Sequence, residues 1–397
     1  MESKPMILDK LFTLMAEKKA SDIFITAGVP IHIKIEGESV PINQQSMDPA
    51  MIQRMAFEIM TPDQIARFQR DKEMNLSFGR RDLGNFRVNL FWQRNSVAIV
   101  VRFIQGVIPT LESLSLPMEL GNVIMEKRGL VLVVGATGSG KSTTLASMID
   151  HRNRHRSGHI LTIEDPIEYL FKHKKSIINQ REIGIDTLDW HQALKNAMRQ
   201  APDCILIGEI RDQETMQAAL AYAQTGHLCL GTLHANNAYH ALNRIVNFFP
   251  MENRPLLYLD LAVALKTIIS QRLVRRPDGS RMPTVELLMN TRHVAELIER
   301  GEISAIKEAM EQSLAPGSQT FEQDLFRLYR EKIITLEEAL ANADSPTNLS
   351  WLINNSKMST PENGKSIEKK SSDIVDFEST QPDGASFSEF TLNLDDN

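Results

Sequence analysis

The sequence predicts an α/β chain: a small α/β domain at the N-terminus, then a parallel sheet covered by helices, then a mostly helical stretch. Three observations carry this. Short runs alternating in hydrophobicity bracket the turn Gly28-Val29-Pro30; strand and helix patterns take turns from residue 130 to 232; and a glycine-rich loop, GATGSGKSTT at 135–144, joins an apolar strand pattern to a helix pattern.

Residues 6–18 space Ile7, Leu8, Leu11, Phe12 and Leu14 as one helix face, and Asp22–Ile25 and His32–Ile35 alternate as strands. Further strand patterns at 75–79, 85–92 and 97–104 complete a domain spanning 1–104. Gly106, Pro109 and Pro117 break the periodicity, which makes 105–118 a linker. A core over 119–270 follows, with strands at 130–134, 159–163, 204–208 and 228–232 and helices from 141, at 188–199 and at 212–224. From about 255 to 354 the reading is mostly helical, with Leu257, Leu261, Leu265 and Ile268-Ile269 as its apolar positions, so 271–354 is expected to be a helical C-terminal region. Beyond Asn354 the chain turns to Ser, Thr, Pro, Gly and charge, the signature of a disordered tail over 355–397. That tail holds four Lys against nine Asp and Glu, punctuated by Phe377, Phe387 and Phe390; an acidic docking peptide and a solubilising tail both fit it.

The 397 residues are enough for two or three domains, and the net charge of −6 leaves no bulk basic excess with which to grip a nucleic-acid backbone. A helicase is disfavoured. Cys204 and Cys229, the two cysteines, lie in apolar stretches, so buried reduced thiols are expected and a tetracysteine zinc site is excluded. The N-terminus has no secretory apolar region and no apolar run reaches the roughly 18 residues of a membrane span; a cytoplasmic protein is expected.

The loop fits G-x-x-x-x-G-K-[ST] through Gly135, Gly140, Lys141 and Ser142, with Thr137, Gly138 and Ser139 between and Thr143 after. Such glycines let backbone N–H groups close around phosphate oxygens, with the positive end of the following helix behind them. ATP with Mg²⁺ is the expected ligand, Lys141 reaching the phosphates and the Ser142 hydroxyl the metal. Hydrolysis needs carboxylates nearby, and in open α/β sheets ligands sit beyond the carboxyl ends of strands, where Glu164, Asp165 and Glu209 fall. Glu164 is assigned to polarise the attacking water and Glu209 to hold the metal through water. Asp165, before Pro166, reads as a helix cap, and Asp203 stands at the wrong strand end. His227 and His234 flank the last strand; a lone histidine is more often a hydrogen-bonded structural residue, but His234 ends its strand beside the phosphate site and stands as a catalytic candidate.

With GATGSGKSTT, LTIEDPIEY, ILIGEIRDQET and TGHLCLGTLHANNA in this order, the chain resembles the secretion-type ATPases of type IV pili and type II secretion, and SDIFITAGVPIHIKIEG, NFRVNLFWQR and ISQRLVRRPDG narrow the resemblance to the PilT/PilU retraction group. It covers about residues 5–350. The resemblance implies a PAS-like N-terminal domain, a RecA-like core, a homo-hexamer, and ATP bound where one core faces an N-terminal domain. It also implies that Arg87 and Arg102 reach the phosphates, that Glu164 is catalytic, and that the partners are a PilT-type ATPase and a membrane-embedded platform protein at the inner-membrane face. Two departures stand out. The AIRNLIRE helix of PilT is replaced by His293-Val294-Ala295-Glu296-Leu297-Ile298-Glu299-Arg300, and the acidic tail is extra. Both point to the accessory, PilU-type members, working beside a PilT-type motor; an ATP-binding adaptor that does not hydrolyse is the alternative. Pilus-extension and secretion ATPases, with their tetracysteine insertion, are excluded by the cysteine count.

Overall fold

Strand-forming and helix-forming segments sort into two sheets, each with its own core. The computed structural model describes residues 7–35, 37–80, 83–104 and 106–358; residues 359–397, most of the expected tail, lie outside.

The first sheet is antiparallel, in the order β3-β2-β1-β6-β5-β4, from β1 (Asp22–Ile25), β2 (His32–Ile35), β3 (Glu38–Pro41), β4 (Glu73–Arg80), β5 (Gly84–Gln93) and β6 (Ser96–Ile104). Its strands alternate because one face is covered: Phe86, Val88 and Leu90 of β5 point inward against Leu8, Phe12 and Met15 of the helix Ile7–Lys18. Phe12 stacks on Phe86 with ring centroids 4.3 Å apart. Two helices add to this core that hydrophobic periodicity did not reveal, Pro49–Glu58 and Pro62–Asp71. Their start signals are in the sequence: Asp48 caps the first, Thr61 and Gln64 form a capping box on the second, and each has proline in its first turn.

The second sheet has seven strands in the order β13-β12-β7-β11-β10-β8-β9. These are β7 (Gly129–Val134), β8 (Gly158–Glu164), β9 (Ser176–Glu182), β10 (Cys204–Ile207), β11 (Leu228–Leu233), β12 (Leu265–Arg275) and β13 (Arg281–Met289). All neighbours run parallel except β12 and β13. The four expected strands and the helices Lys141–His155, Trp190–Ala197 and Gln213–Gln224 fall where the alternation placed them.

The helical reading of 265–289 is corrected. Leu257 and Leu261 do lie on a helix, Arg254–Ala264, but Leu265, Ile268 and Ile269 belong to β12, which pairs with β7, and β13 follows it. Leu265, Thr267, Ile268, Ile269 and Ser270 are all buried, so the strand is covered on both faces and shows no period of two. The chain is helical from Arg292 onward, and Phe321, Leu325, Leu349 and Ile353 of its helices pack with Val274 and Met282. The last described helix, Pro346–Met358, runs past the expected start of the tail. Cys204 and Cys229 are buried and unpaired, as expected, and burial raises the Cys204 thiol to about 11. Among the described residues no helix is long and apolar enough to cross a membrane.

Candidate nucleotide site

β7 is buried along its whole length between β11 and β12, so the loop that follows it is held at the carboxyl edge of the sheet. There the chain turns through Gly138 and Gly140, with φ of +79° and +92°. A Cβ on Gly140 would stand 2.6 Å from the Gln271 amide nitrogen, whereas at Gly138 it would meet open space. The helix Lys141–His155 starts directly after Gly140 without a side-chain cap, which leaves its leading N–H groups to an outside acceptor. Lys141 Nζ donates to the Gly135 and Ala136 carbonyls at 3.0 and 2.9 Å, and burial lowers its pKa against the pull of Glu168 and Glu209. The buried Ser139 hydroxyl has no hydrogen-bond partner. A glycine cradle, a lysine bonded to carbonyls alone and an unpartnered hydroxyl fit a phosphate chain.

The loop opens on a cleft of about 490 Å³ that Thr137, Ser142, Thr143, Glu164, Glu209 and His234 also line. Glu164 ends β8 and is only 9% exposed; it accepts from Thr162 Oγ1 at 2.6 Å and Gln180 Nε2 at 3.3 Å. Desolvation outweighs both bonds and raises its carboxyl to about 7. Glu209 follows β10 and meets Arg211 Nε at 2.9 Å and His234 Nε2 at 3.4 Å. Burial, then the nearby Lys141 charge, lowers the His234 pKa and favours the neutral imidazole, against the pull of Glu209.

The structure therefore gathers the loop residues, Glu164, Glu209 and His234 around one cleft. It does not bring Arg87 and Arg102 there. They lie opposite each other on β5 and β6, where Arg87 is paired with the buried Glu182 at the end of β9, and Arg102 with Asp22 at 2.8 Å. The capping role read for Asp165 is corrected: no helix follows Pro166, and the carboxylate instead takes Arg211 Nη2 at 3.1 Å. Asp203 is at the opposite edge, accepting from the His159 N–H, and His227 contacts Thr225 and the Tyr222 carbonyl.

Several site residues escaped the sequence reading. Arg211 bridges Glu209 and Asp165; Gln271 accepts from Thr144 Oγ1 at 2.6 Å and lies on β12, whose apolar pattern resembles a helix; Tyr169 Oη reaches Thr143 Oγ1 at 2.9 Å. A signal existed for Arg211 alone, a cation two residues beyond a strand-end carboxylate.

Residues 2–301 match the type II/IV secretion system protein family. The type IV pilus ATPase PilU of Pseudomonas aeruginosa is 48% identical over 349 residues, which is 88% of this chain and 91% of that protein. The type IV pilus retraction ATPase PilT of the same organism is 37% identical over 86% of this chain and all of its own length. A crystal structure of the pilus retraction motor PilT with bound ADP superposes with a TM-score of 0.81 at 40% identity, covering 88% of this chain and all of that one. The second sheet is thus a RecA-like core, and the chain belongs to the type II/IV secretion system protein family, as a PilT/PilU-type retraction ATPase.

Proposed function

We propose that the chain binds ATP with Mg²⁺ on residues 135–143 and hydrolyses it to drive type IV pilus retraction, as an accessory motor beside a PilT-type ATPase. The observation that carries the chemistry is Glu164, a buried carboxyl raised to about 7 that faces the same cleft as Lys141. Such a group is half ionised at neutral pH and is matched to taking a proton from an attacking water. Lys141 and the loop N–H groups offset phosphate charge, and Glu209, oriented by Arg211 and His234, presents a carboxylate to the metal side. Mg²⁺, held by Ser142 and through water by Glu209, would neutralise charge developing between the β- and γ-phosphates.

The likeness to PilT and PilU supports action in the pilus machinery; a homo-hexamer acting on a membrane-embedded platform protein from the cytoplasmic side belongs to the same proposal, and the net charge of −6 speaks against a nucleic-acid partner. On this reading residues 1–104 move against the core about a hinge at 105–118, and Arg87 and Arg102 complete a neighbouring subunit's site. One observation favours the adaptor alternative: within a single chain both arginines are committed to carboxylates, Glu182 and Asp22, away from the cleft. ATP turnover with solution mass, alone and with the cognate PilT-type ATPase, decides between them. Hexamer-sized particles that hydrolyse ATP alone and lose it in Glu164→Gln establish the motor; particles that bind ATP without turnover in either mixture establish the adaptor.

A further inference from the structure

We propose that Gln180 and Glu182, two residues apart on the edge strand β9, are positioning residues for Glu164, and that the Glu182–Arg87 pair ties the N-terminal sheet to the same segment. This rests on reading Glu164 as the carboxylate that serves hydrolysis.

Residues 165–171 form neither helix nor strand, so their backbone groups need partners from elsewhere. β9 supplies them. In register, Gln180 lies opposite Thr162 and Glu182 opposite Glu164. Gln180 Nε2 donates to the Tyr169 carbonyl at 2.8 Å and to Glu164 Oε1 at 3.3 Å, while its Oε1 accepts from the Phe171 N–H at 2.9 Å. Glu182 Oε2 accepts from the Ile167 N–H at 3.1 Å. Two side chains of one strand thereby grip the segment at three residues and touch the catalytic carboxylate itself. Tyr169 carries the same segment to Thr143, in the first turn of the helix behind the phosphate loop.

Glu182 also has a second task. Its carboxylate is the partner of Arg87, which reaches across from β5, and both side chains are largely buried. Drawing Arg87 away leaves a buried carboxylate held by one backbone N–H, which favours movement of the strand end toward water or another donor. A displacement of the N-terminal sheet is so conveyed to the backbone beside Glu164.

The test uses the full chain. Gln180→Leu keeps the volume and removes every hydrogen bond; kcat for ATP should fall at least about ten-fold while KM stays within about two-fold and the melting temperature holds. Amide exchange at 165–171, read without turnover, should quicken about ten-fold in Gln180→Leu and also in Arg87→Gln, whose substitution lies on the other sheet. Unchanged kcat in Gln180→Leu beside a silent Glu164→Gln overturns the positioning role alone. Unchanged exchange in Arg87→Gln overturns the tie between sheets. Full turnover in Glu164→Gln removes the reading of Glu164 and the inference with it.

Discussion

His234 Nε2 lies 3.4 Å from Glu209 Oε1, joining the ends of two adjacent parallel strands, β11 and β10, across the mouth of the phosphate cleft. Burial and the Lys141 charge lower the imidazole's pKa and so favour its neutral form, in which it contacts the carboxylate without cancelling its charge. His234→Ala should lower kcat about ten-fold through loss of the contact that orients Glu209, with nucleotide affinity nearly unchanged; stopped-flow binding beside steady-state turnover checks the split.

Lys141 is bonded only to carbonyls and is partly desolvated, a state that a phosphate chain would relieve. Lys141→Ala should weaken ATP binding on the order of 100-fold, measured by titration with a fluorescent ATP analogue; affinity within a few-fold of the parent would refute the assignment.

As the proposed proton acceptor Glu164 would have to be ionised, and burial raises its pKa to about 7. Turnover should therefore climb between pH 6 and 8. Glu164→Gln should cost on the order of 10²–10⁴ in kcat while leaving binding intact, and its residual rate should lose that climb; a pH–rate profile of both proteins provides the check.

Glu286 tests pH-dependent stability away from the phosphates. It is buried on β13, accepts from the Ala238 N–H at 2.7 Å and from Ser270 Oγ at 2.8 Å, and is raised from 4.5 to about 7, chiefly by burial. The native state holds its proton more tightly than the unfolded chain does, so the stability it contributes is complete below pH 4.5 and lost as the pH rises through 7. Glu286→Gln keeps an acceptor for Ala238 and removes the ionisation. Relative to the parent it should gain on the order of 1–3 kcal/mol between pH 5 and pH 8, read by urea unfolding at both.

At Gly140 the positive φ strains any residue with a Cβ, and a methyl group would push aside the Gln271 amide 2.6 Å away. Gly140→Ala should cost about 1–3 kcal/mol and disturb the Thr144–Gln271 bond, with a parallel loss of nucleotide affinity; a thermal melt unchanged from the parent would contradict this.

What the sequence by itself determined is local in origin. The phosphate loop, the carboxylates at two strand ends and the alternation of strands and helices from β7 to β11 are written in short spacings, because loop geometry and helix or strand period depend on residues a few positions apart. The helices at 49–58 and 62–71 are not placed by the sequence analysis, although Asp48, Thr61 and Gln64 carry their start signals. Only the tertiary structure decided that β12 and β13 extend the core sheet, since a strand buried on both faces loses its period of two and looks like helix. It alone decided that Arg211 stands between Glu209 and Asp165, that Gln180 touches Glu164, and that Arg87 closes on Glu182, 95 positions away. An ion pair of that separation leaves no trace in any short window, because it exists only after folding has brought two strands of different sheets together.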